Sequence, residues 1–221
     1  MAEKRTLSPL HIGIYLIIFF AVWSVRELVI RPVFLDTLDG IVFQIAESSM
    51  KLVAWTLPAV LLIRYFQDDM WISLRDMFTT NPKWFKSAPI LLLGVVVPLI
   101  NALVLHGEIR IRPDFVPMTL IEGVMMVGIT EEIVFRGFLL NAFLKKMKPW
   151  KAVLLDAILF ALIHYPIWIY FGHNFTTILS SSISVIVISA FFAYSFIKTR
   201  NIFVPIVLHM LWNLLLMLFT V

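Results

Sequence analysis

The chain has 221 residues, of which 61% are apolar and only 14% charged, with a net charge of +4 and no cysteine. Soluble domains hold about 45–50% apolar and about 25% charged residues, so this composition excludes a soluble enzyme and a disordered chain. The basic residues are scattered over many short loops, which excludes a nucleic-acid partner, and the missing cysteine excludes disulfides, thiolate metal sites and a cysteine nucleophile.

Seven long apolar runs follow in chain order, at residues 10–25, 41–63, 88–105, 118–144, 152–169, 175–197 and 202–221. Each can cross roughly 30 Å of hydrocarbon as a tilted helix. None alternates as a barrel strand would. The expected fold is therefore all-α, a polytopic transmembrane helical bundle with about seven spans. The first run follows Lys4 and Arg5 as a signal peptide would, but Phe, Trp and Arg stand where small residues would mark cleavage, so it reads as a retained helix. Between the second and third runs, Met70, Trp71, Leu74, Met77 and Phe78 share one helical face, which predicts a short interfacial helix. The expected organisation is one integral membrane domain, with spans 1–3 and the interfacial segment in residues 1–117 and spans 4–7 in 118–221.

Lysines and arginines set the expected orientation. With the N-terminus in the cytoplasm, Lys4, Arg5, Arg64, Arg75, Lys83, Lys86, Lys145, Lys146, Lys148, Lys151, Lys198 and Arg200 lie inside, and Arg26, Arg31, Arg110 and Arg112 outside. That imbalance predicts a multi-pass cell-membrane protein with its C-terminus outside.

Against this apolar background the ionisable residues in mid-span are the informative ones. The fourth run contains Thr130-Glu131-Glu132-Ile133-Val134-Phe135-Arg136. Each such charge costs about 2.5–3.5 kcal/mol at a helix centre. Glu132 and Arg136 are four apart with the carboxylate first, the favourable order for a helical ion pair. Glu131 lies about 100° round the helix and needs partners from elsewhere. Downstream stand His164 in the fifth run, and His209 and Asn213, four apart, in the seventh. Taken singly, each is readable as a helix–helix hydrogen bond. Counted inward from Lys145, Lys151 and Arg200, however, Glu132, His164 and Asn213 all fall roughly 20 Å deep. One narrow polar layer across three helices predicts a shared intramembrane site. Glu47 and Lys51, four apart in the second run, read as a structural pair. Asp156 reads as a residue of the inner interface, the stretch 165–175 as a polar loop, and the serines at 180–184 as packing residues.

A carboxylate in such a layer can take a proton from water, and histidine can hold or share that water. An imidazole and a carboxamide four apart can donate to a developing oxyanion. The set suits hydrolysis. Glu131, His164 and His209 could also hold a zinc ion with a position left for water, so zinc stays open as cofactor.

Together the three elements resemble the CAAX prenyl protease and bacteriocin-processing family of intramembrane proteases, whose pattern is Glu-Glu-x-x-x-Arg, Phe-x-x-x-His and His-x-x-x-Asn on successive helices. Here it reads Glu131-Glu132…Arg136, Phe160…His164 and His209…Asn213. The resemblance covers about residues 119–216, in forms similar to bacterial members, and departs at Ala190-Phe191-Phe192-Ala193-Tyr194, where many bacterial relatives carry glycines. It implies an intramembrane endopeptidase acting on a peptide or membrane-associated protein segment, in bacteriocin processing or self-immunity, with its site open to the cytoplasm. It also implies roles: Glu131 activates water that His164 helps to hold, His209 and Asn213 stabilise the oxyanion, and Glu132 and Arg136 shape the site. Two other readings stand beside it. One is a non-catalytic membrane scaffold or bacteriocin immunity protein of the same fold, which would tolerate Glu131→Gln. The other is a proton-coupled transporter, which would call for inverted repeats that the sequence lacks.

Overall fold

The structure, a computed structural model, describes residues 6–219; Lys4 and Arg5 of the orientation count and the last two residues of the seventh run lie outside them. The described residues form eight helices and no strands. These are α1 (Pro9–Thr37), α2 (Gly40–Tyr65), α3 (Leu74–Thr79), α4 (Trp84–His106), α5 (residues 120–146), α6 (Pro149–Tyr170), α7 (Phe175–Thr199) and α8 (Phe203–Phe219). The chain is a helical membrane bundle. Five helices, α1, α2, α4, α6 and α7, are long and apolar enough to cross a bilayer. The other two expected spans differ for identifiable reasons: α5 is long but carries Glu122, Glu131, Glu132 and Arg136, and α8 has 17 residues among those described.

The outer faces are apolar, with Phe85 94% and Ile17 73% exposed, as expected where the surrounding solvent is lipid. Polar side chains point inward instead. α5 is the central element and touches α2, α6 and α8, while α6 packs along α7 and α4 along α8. Its close approach to α8 depends on Gly128, where a Cβ would lie 2.8 Å from Met210 Cγ. Gly128→Val should therefore cost about 1–3 kcal/mol through overpacking, read as a lower unfolding midpoint in detergent.

Proline shapes two of the long helices. Pro32 and Pro58 have no N–H to give the preceding turn, and the turns Arg26–Ile30 and Leu52–Thr56 just before them widen to π geometry. α5 has two wider turns of the same kind, Leu120–Met126 and Ile133–Leu140, the second containing Arg136. Such turns are frequent at functional sites.

Several expectations change at this level. α1 runs on through Arg26 and Arg31, so these are helix residues rather than charges of an outer loop. Arg26 can be buried because Glu27 and Glu47 both pair with it. Glu47 and Lys51 do not pair with each other: Glu47 turns to Arg26 and Arg31, and Lys51 to Glu122 of α5. Residues 165–170 are helical, and the following loop ends where the Asn174 side chain accepts from the Thr177 amide at the start of α7.

The segment between α2 and α4 is plugged into the bundle as well as lying at its end. Met70 and Met77 are buried, whereas Arg75 and Asp76 are exposed. Asn141 of α5 anchors it, accepting from the Ile72 amide at 2.8 Å and donating to the Ile72 carbonyl at 2.9 Å. Asn141→Leu removes both bonds and leaves buried backbone groups unpaired, at about 1–3 kcal/mol for each group. The expected result is a clear loss of stability, with faster proteolysis in the 67–83 segment before global unfolding.

Candidate active site

The local sequence of α6 explains how His164 reaches the interior. Pro166 cannot donate to the carbonyl four residues back, so the helix breaks after Leu162. The Ile163 carbonyl beside the break accepts from the Trp23 indole of α1, which ties α1 to the break. His164 Nδ1 lies 3.0 Å from the Phe160 carbonyl. A carbonyl can only accept, so Nδ1 carries the proton and Nε2 keeps its lone pair.

Glu131, His164 and Asn213 line one cavity of about 240 Å³, together with Arg26, Glu27, Arg31, Lys51 and Glu122. Glu131 is buried, and its Oε2 has no hydrogen-bond partner. Asn213 donates one amide hydrogen to the Gly123 carbonyl at 3.2 Å; its second hydrogen is available to the cavity. Arg26, Glu27, Lys51 and Glu122 of the cavity lining, from α1, α2 and α5, are paired with one another and form an ionic rim.

Glu132, Arg136 and His209 do not line that cavity. They form a second set behind it, where Glu132 Oε1 accepts from His209 Nδ1 at 2.8 Å and from Arg136 at 3.0 Å. The Arg136 guanidinium is fully buried and also donates to the Ser189 carbonyl and hydroxyl of α7, both at 2.7 Å. Its planar fork lies against the rings of Phe160 at 4.7 Å and Phe192 at 5.5 Å, contacts that desolvated aromatic faces favour. His209 is held between the same two rings.

One reading of the sequence changes here. Asp156, expected at the inner interface, is fully buried, with Oδ2 at 3.6 Å from Arg136 Nε. The signal for this was its spacing: Asp156, Phe160 and His164 follow one another at four-residue steps and so share a helix face. The cavity lining extends to Arg31 and Glu122, which lie toward the opposite ends of α1 and α5 from Pro9 and Lys146.

A zinc ion finds no gathered ligand set. Among the described residues no three His, Asp or Glu side chains converge as metal ligands, and His209, one of the expected three, directs Nδ1 to Glu132. The residues as arranged do not fit the ion.

Fold and cluster together define a class: a helical membrane protein whose bundle encloses carboxylates, imidazoles and an amide beside a polar cavity. Residues 113–215, a little under half of the chain, are similar to the family model described as type II CAAX prenyl endopeptidase Rce1-like. No curated protein and no solved structure matches the chain.

Proposed function

We propose that the protein is an intramembrane endopeptidase in which Glu131 activates the attacking water. The observation that carries this reading is the buried Glu131 carboxylate with an unpartnered oxygen, in one cavity with His164 and Asn213. Water held between the His164 Nε2 lone pair and Glu131 gives its proton to Glu131 as its oxygen attacks the scissile carbonyl. The free Asn213 hydrogen donates to the oxyanion that forms. Glu131 then returns the proton to the leaving amine as the C–N bond breaks. His209, engaged by Glu132, acts from behind the cavity by fixing α8 and hence Asn213, one turn further on.

The substrate in this proposal is a peptide or a membrane-tethered segment whose polar stretch enters past the ionic rim. Bacteriocin processing or self-immunity is the pathway that the sequence resemblance adds. The orientation proposed is N-terminus in the cytoplasm, within the cell membrane.

The test is cleavage of a mixed pool of peptides and membrane-protein fragments by purified protein, read as new chain ends by mass spectrometry. Ends produced by wild type and absent with Glu131→Gln support the reading. Equal yields from both overturn it. An Asn213→Ala variant should retain binding but lose about 10²–10³-fold in kcat, the usual effect of removing one oxyanion donor.

A further inference from the structure

Asp156 is a buried acid for which the proposed reaction has no use. Neither of its oxygens has a hydrogen-bond partner, and it is fully buried between helices. Arg136 is the cation that pairs with it, at 3.6 Å, and Arg136 already has a carboxylate in Glu132. One cation needs one carboxylate for neutrality. A second carboxylate in an apolar bundle is costly to desolvate, so a purely structural account leaves Asp156 as a net burden.

We infer that Asp156 is a positioning residue, which holds the Arg136 guanidinium from its Nε side and thereby keeps Glu132 aimed at His209. The geometry assigns each contact of the guanidinium to a different direction: Glu132 on α5, Ser189 on α7 and Asp156 on α6. Glu132 Oε1 is shared between Arg136 and His209. Without the pull of Asp156, the guanidinium is free to move onto Glu132 and form the two-pronged pair that arginine and carboxylate prefer. His209 then loses its acceptor, and α8, which carries Asn213, loses its register against α5. Asp156 thus acts on the cavity through three intermediaries, Arg136, Glu132 and His209, without touching it.

This inference rests on the endopeptidase reading for its kinetic consequence but not for its structural one. Asp156→Asn keeps the shape and removes the charge; Asp156→Ser is the second variant should the amide disturb folding. In protein labelled with 15N at histidine, the His209 imidazole signal should shift both in Asp156→Asn and in Arg136→Gln, with the His164 signal unmoved in Asp156→Asn. In the peptide-pool assay, kcat should fall about 10- to 100-fold, the size of a small misplacement of reacting groups, with KM unchanged. In an Arg136→Gln background the same Asp156 change should have little further effect. An unmoved His209 signal, or equal losses in both backgrounds, overturns the inference. If wild type cleaves nothing while the His209 signal still shifts, the endopeptidase reading fails and the positioning role stands.

Discussion

Glu131→Gln should lower the cleavage rate by about 10²–10⁴-fold, the range that a positioned general base contributes, with little change in stability. The two halves of this expectation have one cause. Glu131 Oε2 has no partner in the protein, so replacing the carboxylate by an amide of the same shape breaks no bond that holds the fold. The amide cannot accept the proton of the attacking water, and the chemical step loses its base. An equal substitution at Glu132 behaves differently, because its Oε1 serves both Arg136 and His209. Comparing the two variants by new chain ends and by unfolding midpoint therefore separates chemistry from architecture. Full activity in Glu131→Gln would assign the base to another group.

Arg136→Met should lower stability by about 3–5 kcal/mol, the cost of removing one partner from a buried ion pair. The guanidinium is fully buried and joins α5 to α6 and α7 through Asp156 and Ser189 as well as to Glu132. Without it, two carboxylates remain in an apolar interior with no cation between them. Arg136→Lys keeps the charge but not the fork, so it should fall between wild type and Met. Unfolding in a graded denaturing detergent series measures the order; a Met variant as stable as wild type would remove Arg136 from its place as the clamp.

These substitutions divide the motif Glu131-Glu132…Arg136 into parts that its spelling does not distinguish. Adjacent residues on a helix point about 100° apart, so one glutamate reaches the cavity and the other the ion set behind it. The spacing of Glu132 and Arg136 is readable as an ion pair, and the structure has that pair at 3.0 Å. The same spacing misleads at Glu47 and Lys51. There the four-residue rule describes an isolated helix, whereas in the bundle Arg26 and Glu122 from neighbouring helices come closer. Asp156 departs from its sequence reading for a related reason: its distance along the chain from Lys151 suggests the interface, but burial is decided by which neighbours cover a residue.

The apolar fraction and the long runs are enough to determine a helical membrane bundle, because hydrocarbon requires each spanning backbone to satisfy its own hydrogen bonds. The three short motifs are enough to point to the family that residues 113–215 match. Which polar groups meet is decided only by tertiary structure. The helix break at Pro166, the π turns along α1, α2 and α5, and the close passage of α8 over Gly128 set the rotations and depths of side chains on separate helices. Periodicity reports the face a residue occupies on its own helix; the helix that lies opposite that face is chosen by packing across distant parts of the chain. That is why Glu131 shares a cavity with His164 and Asn213, while Glu132 belongs with His209, Arg136 and Asp156.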